Sequence, residues 1–188
     1  MESKNWINHR GWFYAFIFLI LLILIAMIYI MISASDDTPP SKHERDSSTK
    51  DFTIAFNNHE LQTLMNSTLK NYDIKTHIKN KTVSFDTKTK ILGKQLDVII
   101  NTRPQKYDRS TIKFNIKSID IGKLNISNPF ILSQIKNHGD IPPYIQIHPK
   151  DESFYLSLDQ LDIQNVDNIQ IQTLDLLAKK WYFDIKLK

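Results

Sequence analysis

Hydrophobic positions fall along this chain in two regimes. Between Trp12 and Ile32 they are unbroken: WFYAFIFLILLILIAMIYIMI holds no charge, proline or glycine over 21 residues. At 1.5 Å per residue a helix of that length covers about 30 Å, the thickness of a bilayer's hydrocarbon core, which predicts a transmembrane helix over 12–32. Secretory signal cores run to about 7–15 apolar residues. The longer segment therefore reads as a retained signal-anchor, despite the small residues Ser33, Ala34 and Ser35 behind it. Trp12 and Tyr29 stand where interfacial aromatics belong.

From Phe52 onward the pattern changes to short alternating runs. Strands are predicted at 52–56, 74–79, 82–87, 95–102, 111–118, 119–126, 144–148, 153–158, 169–176 and 180–187. Ile112, Phe114 and Ile116, then Phe154, Leu156 and Leu158, then Trp181, Phe183, Ile185 and Leu187 alternate with partners such as Lys113, Asn115, Tyr182 and Asp184. Period two with polar partners marks an antiparallel sheet covered on one face. Two stretches break that rhythm. Leu61, Leu64, Met65, Leu69 and Tyr72 recur at helical spacing behind an Asn57 or Asn58 N-cap with Glu60 close by. A shorter helix over 129–137 opens on Pro129 and stops at Gly139. The expected fold class is α+β: an N-terminal transmembrane helix, then a long curved antiparallel sheet wrapped around one main amphipathic helix.

Between the regimes, SASDDTPPSKHERDSSTK has mixed charge, two prolines and no apolar period. Nothing in it offsets the entropy of ordering, so 33–50 is read as a disordered linker with a coil reach of roughly 20–25 Å. The leader carries Lys4 and Arg10, and a short basic leader is favoured on the cytoplasmic side. The expected division is a cytoplasmic leader over 1–11, the span over 12–32, the linker over 33–50 and an extracytoplasmic domain over 51–188.

Charge and chemistry narrow the picture mainly by exclusion. The net charge of +4 is spread out, a mild attraction to anionic surfaces without the basic and aromatic clustering that tracks nucleic acid. Without cysteine there is no disulfide framework, thiolate metal site or thiol nucleophile. His59-Glu60 begins a zinc-protease motif whose second histidine is missing. His43-Glu44-Arg45-Asp46 reads as solvated linker charge, Asp151-Glu152 as a turn, and the pairs His138/Asp140 and His77/His148 as ordinary scattered side chains. With three glycines after the span and no nucleophile elbow, no enzyme, metal or cofactor is expected.

The order of pieces carries a resemblance. FTIAFNNHELQTLMNSTLKNY is followed by SIDIGKLNIS at 118–127, PFILSQI, IPPYIQIHP at 141–149 and a closing WYFDIKL. The chain resembles the YpmS family of low-GC Gram-positive bacteria, small single-pass membrane proteins; Asn128 before Pro129 departs from that family's usual turn. The resemblance implies no catalytic residues. A looser likeness to tubular lipid-binding proteins implies an apolar groove. The expectation is a tethered module for a lipid or lipid-linked cell-envelope molecule, with Leu61, Leu64, Met65, Leu69, Phe114, Ile116, Phe154, Leu156, Trp181 and Phe183 lining a cavity of roughly 300 Å³ or more. The alternative is an envelope scaffold that meets a protein partner, with the prolines of IPPYIQIHP stiffening an exposed loop.

Overall fold

The computed structural model describes residues 9–33, 38–42, 50–91, 94–122, 126–175 and 178–188. Contacts divide the chain into two units, 1–37 and 38–188. The first eight leader residues, the His43–Asp46 charges and Leu124 lie outside the described residues.

The first unit contains α1, His9–Ser33, a 25-residue helix. Its described side chains, from Tyr14 to Met27, are all exposed. Within such described stretches no helix is long and apolar enough to cross a membrane. The helical backbone of α1 continues beyond them at both ends.

The second unit is α+β, with two antiparallel sheets where one was expected. The larger has the order β2-β3-β4-β5-β7-β6, built from Lys75–Lys79, Thr82–Ile91, Lys94–Lys106, Thr111–Asp120, Ile145–His148 and Ser153–Ser157. The smaller joins β1 (Phe52–Asn57), β9 (Lys180–Leu187) and β8 (Val166–Asp175) in the order β1-β9-β8. β5 holds the whole predicted strand 111–118 and runs on to Asp120, so of the predicted 119–126 it takes in only the first two residues; Ile121, Gly122 and Ile126 are not strand, and 123–125 lie outside the described residues. Between the pairs Asn101↔Ser118 and Thr102↔Ile116 a bulge inserts Lys117, which shifts the inward parity from Ile116 to Ile119.

Two helices serve these sheets, at the two stretches where the strand rhythm breaks. α2, Asn58–Thr68, starts in a complete capping box: Glu60 N–H donates to Asn57 Oδ1, and Asn57 N–H donates to the Glu60 carboxylate. It packs on β1, β9 and β2, while α3, Asn128–His138, packs on β3 and β6. Ile131, Leu132 and Ile135 give α3 a fully apolar buried stripe, each contributing about 1.5–3 kcal/mol by burial. Gly139 ends α3 with its N–H on Ile135 O; a Cβ there would sit 2.5 Å from that carbonyl, so only glycine turns the chain here.

The inner face of the large sheet holds a three-ring cluster. Phe114 stacks on Phe154 at 4.8 Å, and Phe85 meets both edge-on at 5.3 and 5.1 Å. Strand β7 is buried on both sides, contrary to the one-sided expectation. On its other side Tyr155 is covered by Tyr107 and His148, each 4.9 Å away. Tyr107 in turn donates to Pro40 O at 3.2 Å, and the Lys42 ammonium lies 5.4 Å from its ring centroid. Residues 38–42 of the linker segment thus lie against the domain. The sheets join where Ile171 N–H donates to Arg109 O at 2.6 Å and Lys106 Nζ donates to Ile171 O.

Candidate functional site

The inner face of the large sheet is not filled everywhere. Between β3, the end of α3 and β6 lies a cavity of about 250 Å³. Its floor is Phe85, Thr87, Thr89 and Ile100 from β3 and β4; Ile135 and Ile141 wall one side, and Ile145, Ile147 and Phe154 the other. Exposed Asp73, Lys88, Gln95 and Asp140 stand around it. Alternation explains the floor. Phe85, Thr87 and Thr89 share the inward parity of β3, and the two threonines are shorter than the phenylalanine they follow, so the sheet is under-filled at that end.

One polar atom in this lining has no counterpart. Thr89 is 4% exposed, and its hydroxyl makes no hydrogen bond among the described residues. Two other buried threonines of the sheet are paired: Thr76 Oγ1 donates to Asn66 Oδ1 at 2.8 Å and Thr102 Oγ1 to Val83 O at 2.7 Å. Beside the site, burial and then neighbouring Tyr72 raise the Tyr144 phenol above its ordinary pKa, which keeps it a neutral donor and acceptor.

Of the ten residues predicted to line a groove, Phe154 lies in this cavity. Leu61, Leu69, Phe114, Ile116, Trp181 and Phe183 are packed in the core. Met65 and Leu156 are half-buried against it, and Leu64 is 47% exposed. The helix face is rotated from the expected one because polar Asn58, Gln62 and Asn66 also turn inward to hydrogen-bond Trp181, Ile78 and Thr76. Among the lining residues that sequence reading missed are Phe85, Thr87, Thr89, Ile100, Ile135, Ile141, Ile145 and Ile147. The only sequence trace of them was the pair of polar residues at inward positions of β3.

The charged candidates serve structure. Glu60 belongs to the capping box, and the Glu152 carboxylate accepts from Asn128 Nδ2 at 2.8 Å. His77 and His148 sit on β2 and β6, the two edges of the large sheet, roughly 24 Å apart at about 4.8 Å per strand. They share no site. Among the described residues no group of three His, Asp or Glu converges as for a metal. Pro142 is fully buried, so the IPPYIQIHP loop is anchored at its first proline.

Residues 10–187 match the sequence pattern of a family described as "Uncharacterized protein conserved in bacteria (DUF2140)". The chain belongs to the DUF2140 family. A relative, "Uncharacterized protein YpmS" of Bacillus subtilis (strain 168), is 22% identical over 81 residues, a match covering 43% of each chain. The two findings agree with the resemblance to YpmS proteins carried by the strand and helix blocks. No solved structure gives a significant match. For this DUF2140 member the cavity is therefore argued from its own residues.

Proposed function

We propose that this protein is a membrane-anchored, extracytoplasmic, non-catalytic module that takes up the apolar part of a lipid or lipid-linked cell-envelope molecule. The observation that carries the reading is the cavity of about 250 Å³ between β3, α3 and β6, with six isoleucines and two phenylalanines among its seventeen lining residues. Its volume lies just below the usual small-molecule range of roughly 300–1,000 Å³, which suits part of an amphiphile and not a whole two-chain lipid. The anchor is supported by the 21-residue uncharged run from Trp12 to Ile32. It is supported too by α1, whose described side chains are apolar or aromatic and exposed. A helix apolar all round needs a non-aqueous surrounding.

The test is lipid retention by the full chain. Extracted into amphipathic-polymer discs and analysed by native mass spectrometry, it should hold one lipid-derived molecule that an Ile135→Phe variant, with the cavity partly filled, does not. Equal retention by both chains overturns the reading. In whole cells a C-terminal tag should be open to added protease; a protected tag would reverse the orientation.

A further inference from the structure

The cavity is graded along β3. Phe85, stacked edge-on against Phe154, marks an apolar end. Four residues on, roughly 13 Å at about 3.3 Å per residue, Thr89 places a buried hydroxyl without a partner among the described residues in the lining, with exposed Lys88 and Gln95 beside it. A hydroxyl held away from water without a partner is destabilising. Thr76 and Thr102 of the same sheet are paired, and of the buried side chains that have an atom without a partner among the described residues, Thr89 is the one that lines this cavity.

The cavity is half open, so its volume bounds the part of a ligand that lies inside it. A dry cavity of about 150 Å³ holds one six-carbon ring, so by proportion this one holds about ten carbons. That is one chain.

We infer that the cavity takes a single acyl chain, its tail against Phe85 and Phe154 and its carbonyl oxygen accepting a hydrogen bond from the Thr89 hydroxyl. The inference rests on the reading of the cavity as a lipid site and adds the ligand's class, its chain number and its direction. The carbonyl belongs either to a free fatty acid or to an ester-linked acyl group, with the remainder of the molecule leaving past Lys88 and Gln95.

The experiment uses the full chain in lipid nanodiscs with carbon-13-labelled isoleucine methyls, so that Ile135, Ile141, Ile145 and Ile147 report occupancy. Three probes share one tail: decanoic acid, 1-decanoylglycerol and decane. The expected result is that one or both oxygenated probes shift these resonances, and that Thr89→Val weakens them about fivefold, the worth of one hydrogen bond. Thr89→Ser should restore them, and decane should be unaffected by either change. Which oxygenated probe binds names the source of the acyl group. If decane binds as well as the others and Thr89→Val changes nothing, the acyl inference fails while the cavity reading stands. If no probe shifts the four isoleucines, both fail.

Discussion

The Trp181 indole donates a 2.9 Å hydrogen bond to the side-chain oxygen of Asn58, tying the last strand to the first turn of α2. Trp181 is 1% exposed, so its N–H has no recourse to water. Asn58→Ala should lower unfolding stability by about 1–3 kcal/mol. Asn58→Asp keeps the acceptor and adds a favourable charge at the helix N-terminus, so it should remain close to the parent. Urea midpoints of the two variants check this; equal losses would show that the bond contributes nothing.

Helix α2 also seals a sheet edge. Asn66 Oδ1 accepts from Thr76 N–H at 2.6 Å and from its hydroxyl, Asn66 Nδ2 donates to Thr76 O at 3.2 Å, and Gln62 Oε1 accepts from Ile78 N–H at 2.8 Å. These side chains stand in for a missing strand beside β2, where bare edges invite aggregation. Asn66→Leu strands several polar groups of Thr76, which is 0% exposed, and should cost at least about 2 kcal/mol. Hydrogen exchange at Thr76 and Ile78 should accelerate together. Unchanged protection would mean the edge is held by other means.

Burial, followed by the nearby Tyr155 and Asp108, raises the Tyr107 phenol above its ordinary 10.0, and burial likewise raises Tyr144. Below about pH 10 both are neutral in either state. Above it the unfolded chain releases these protons first, so stability falls with rising pH until the folded values are passed. Tyr107→Phe and Tyr144→Phe should each reduce that alkaline loss, measured as midpoint against pH from 9 upward. Ultraviolet titration should show two late-ionising tyrosines, and wild-type slopes in both variants would contradict the assignment.

Thr89 gives a stability test that needs no ligand. Because its buried hydroxyl has no partner among the described residues, Thr89→Val should stabilise the empty protein by about 1 kcal/mol, a rise of roughly 2–4 °C in Tm. A fall in Tm would show that the hydroxyl is satisfied in solution.

Where the sequence was read well, the pattern was local. Trp181, Phe183 and Ile185 alternate inward as predicted, Asn57 caps α2, and Gly139 ends α3. Reading failed where a second element changes what a residue means. The inserted Lys117 breaks the parity of β5, so its end at Ile119 and Asp120 was assigned to a second strand. Asn66 and Gln62 read as a wet face because their partner, the edge of β2, is not written in α2.

The most informative miss is β3. Inward Thr87 and Thr89 interrupt the apolar alternation, so the predicted strand stopped at 87 while the real one runs to Ile91. The cavity opens at that interruption.

By itself the sequence determined the apolar run of α1, the strand period and the helix caps, because each depends on neighbours a few residues apart. Tertiary structure alone decided the two-sheet division, since Phe52 pairs with Ile185 across the length of the domain. It alone decided the cavity, because its lining is gathered from β3, β4, α3, β6 and β7, and an empty space is a property of how those elements meet.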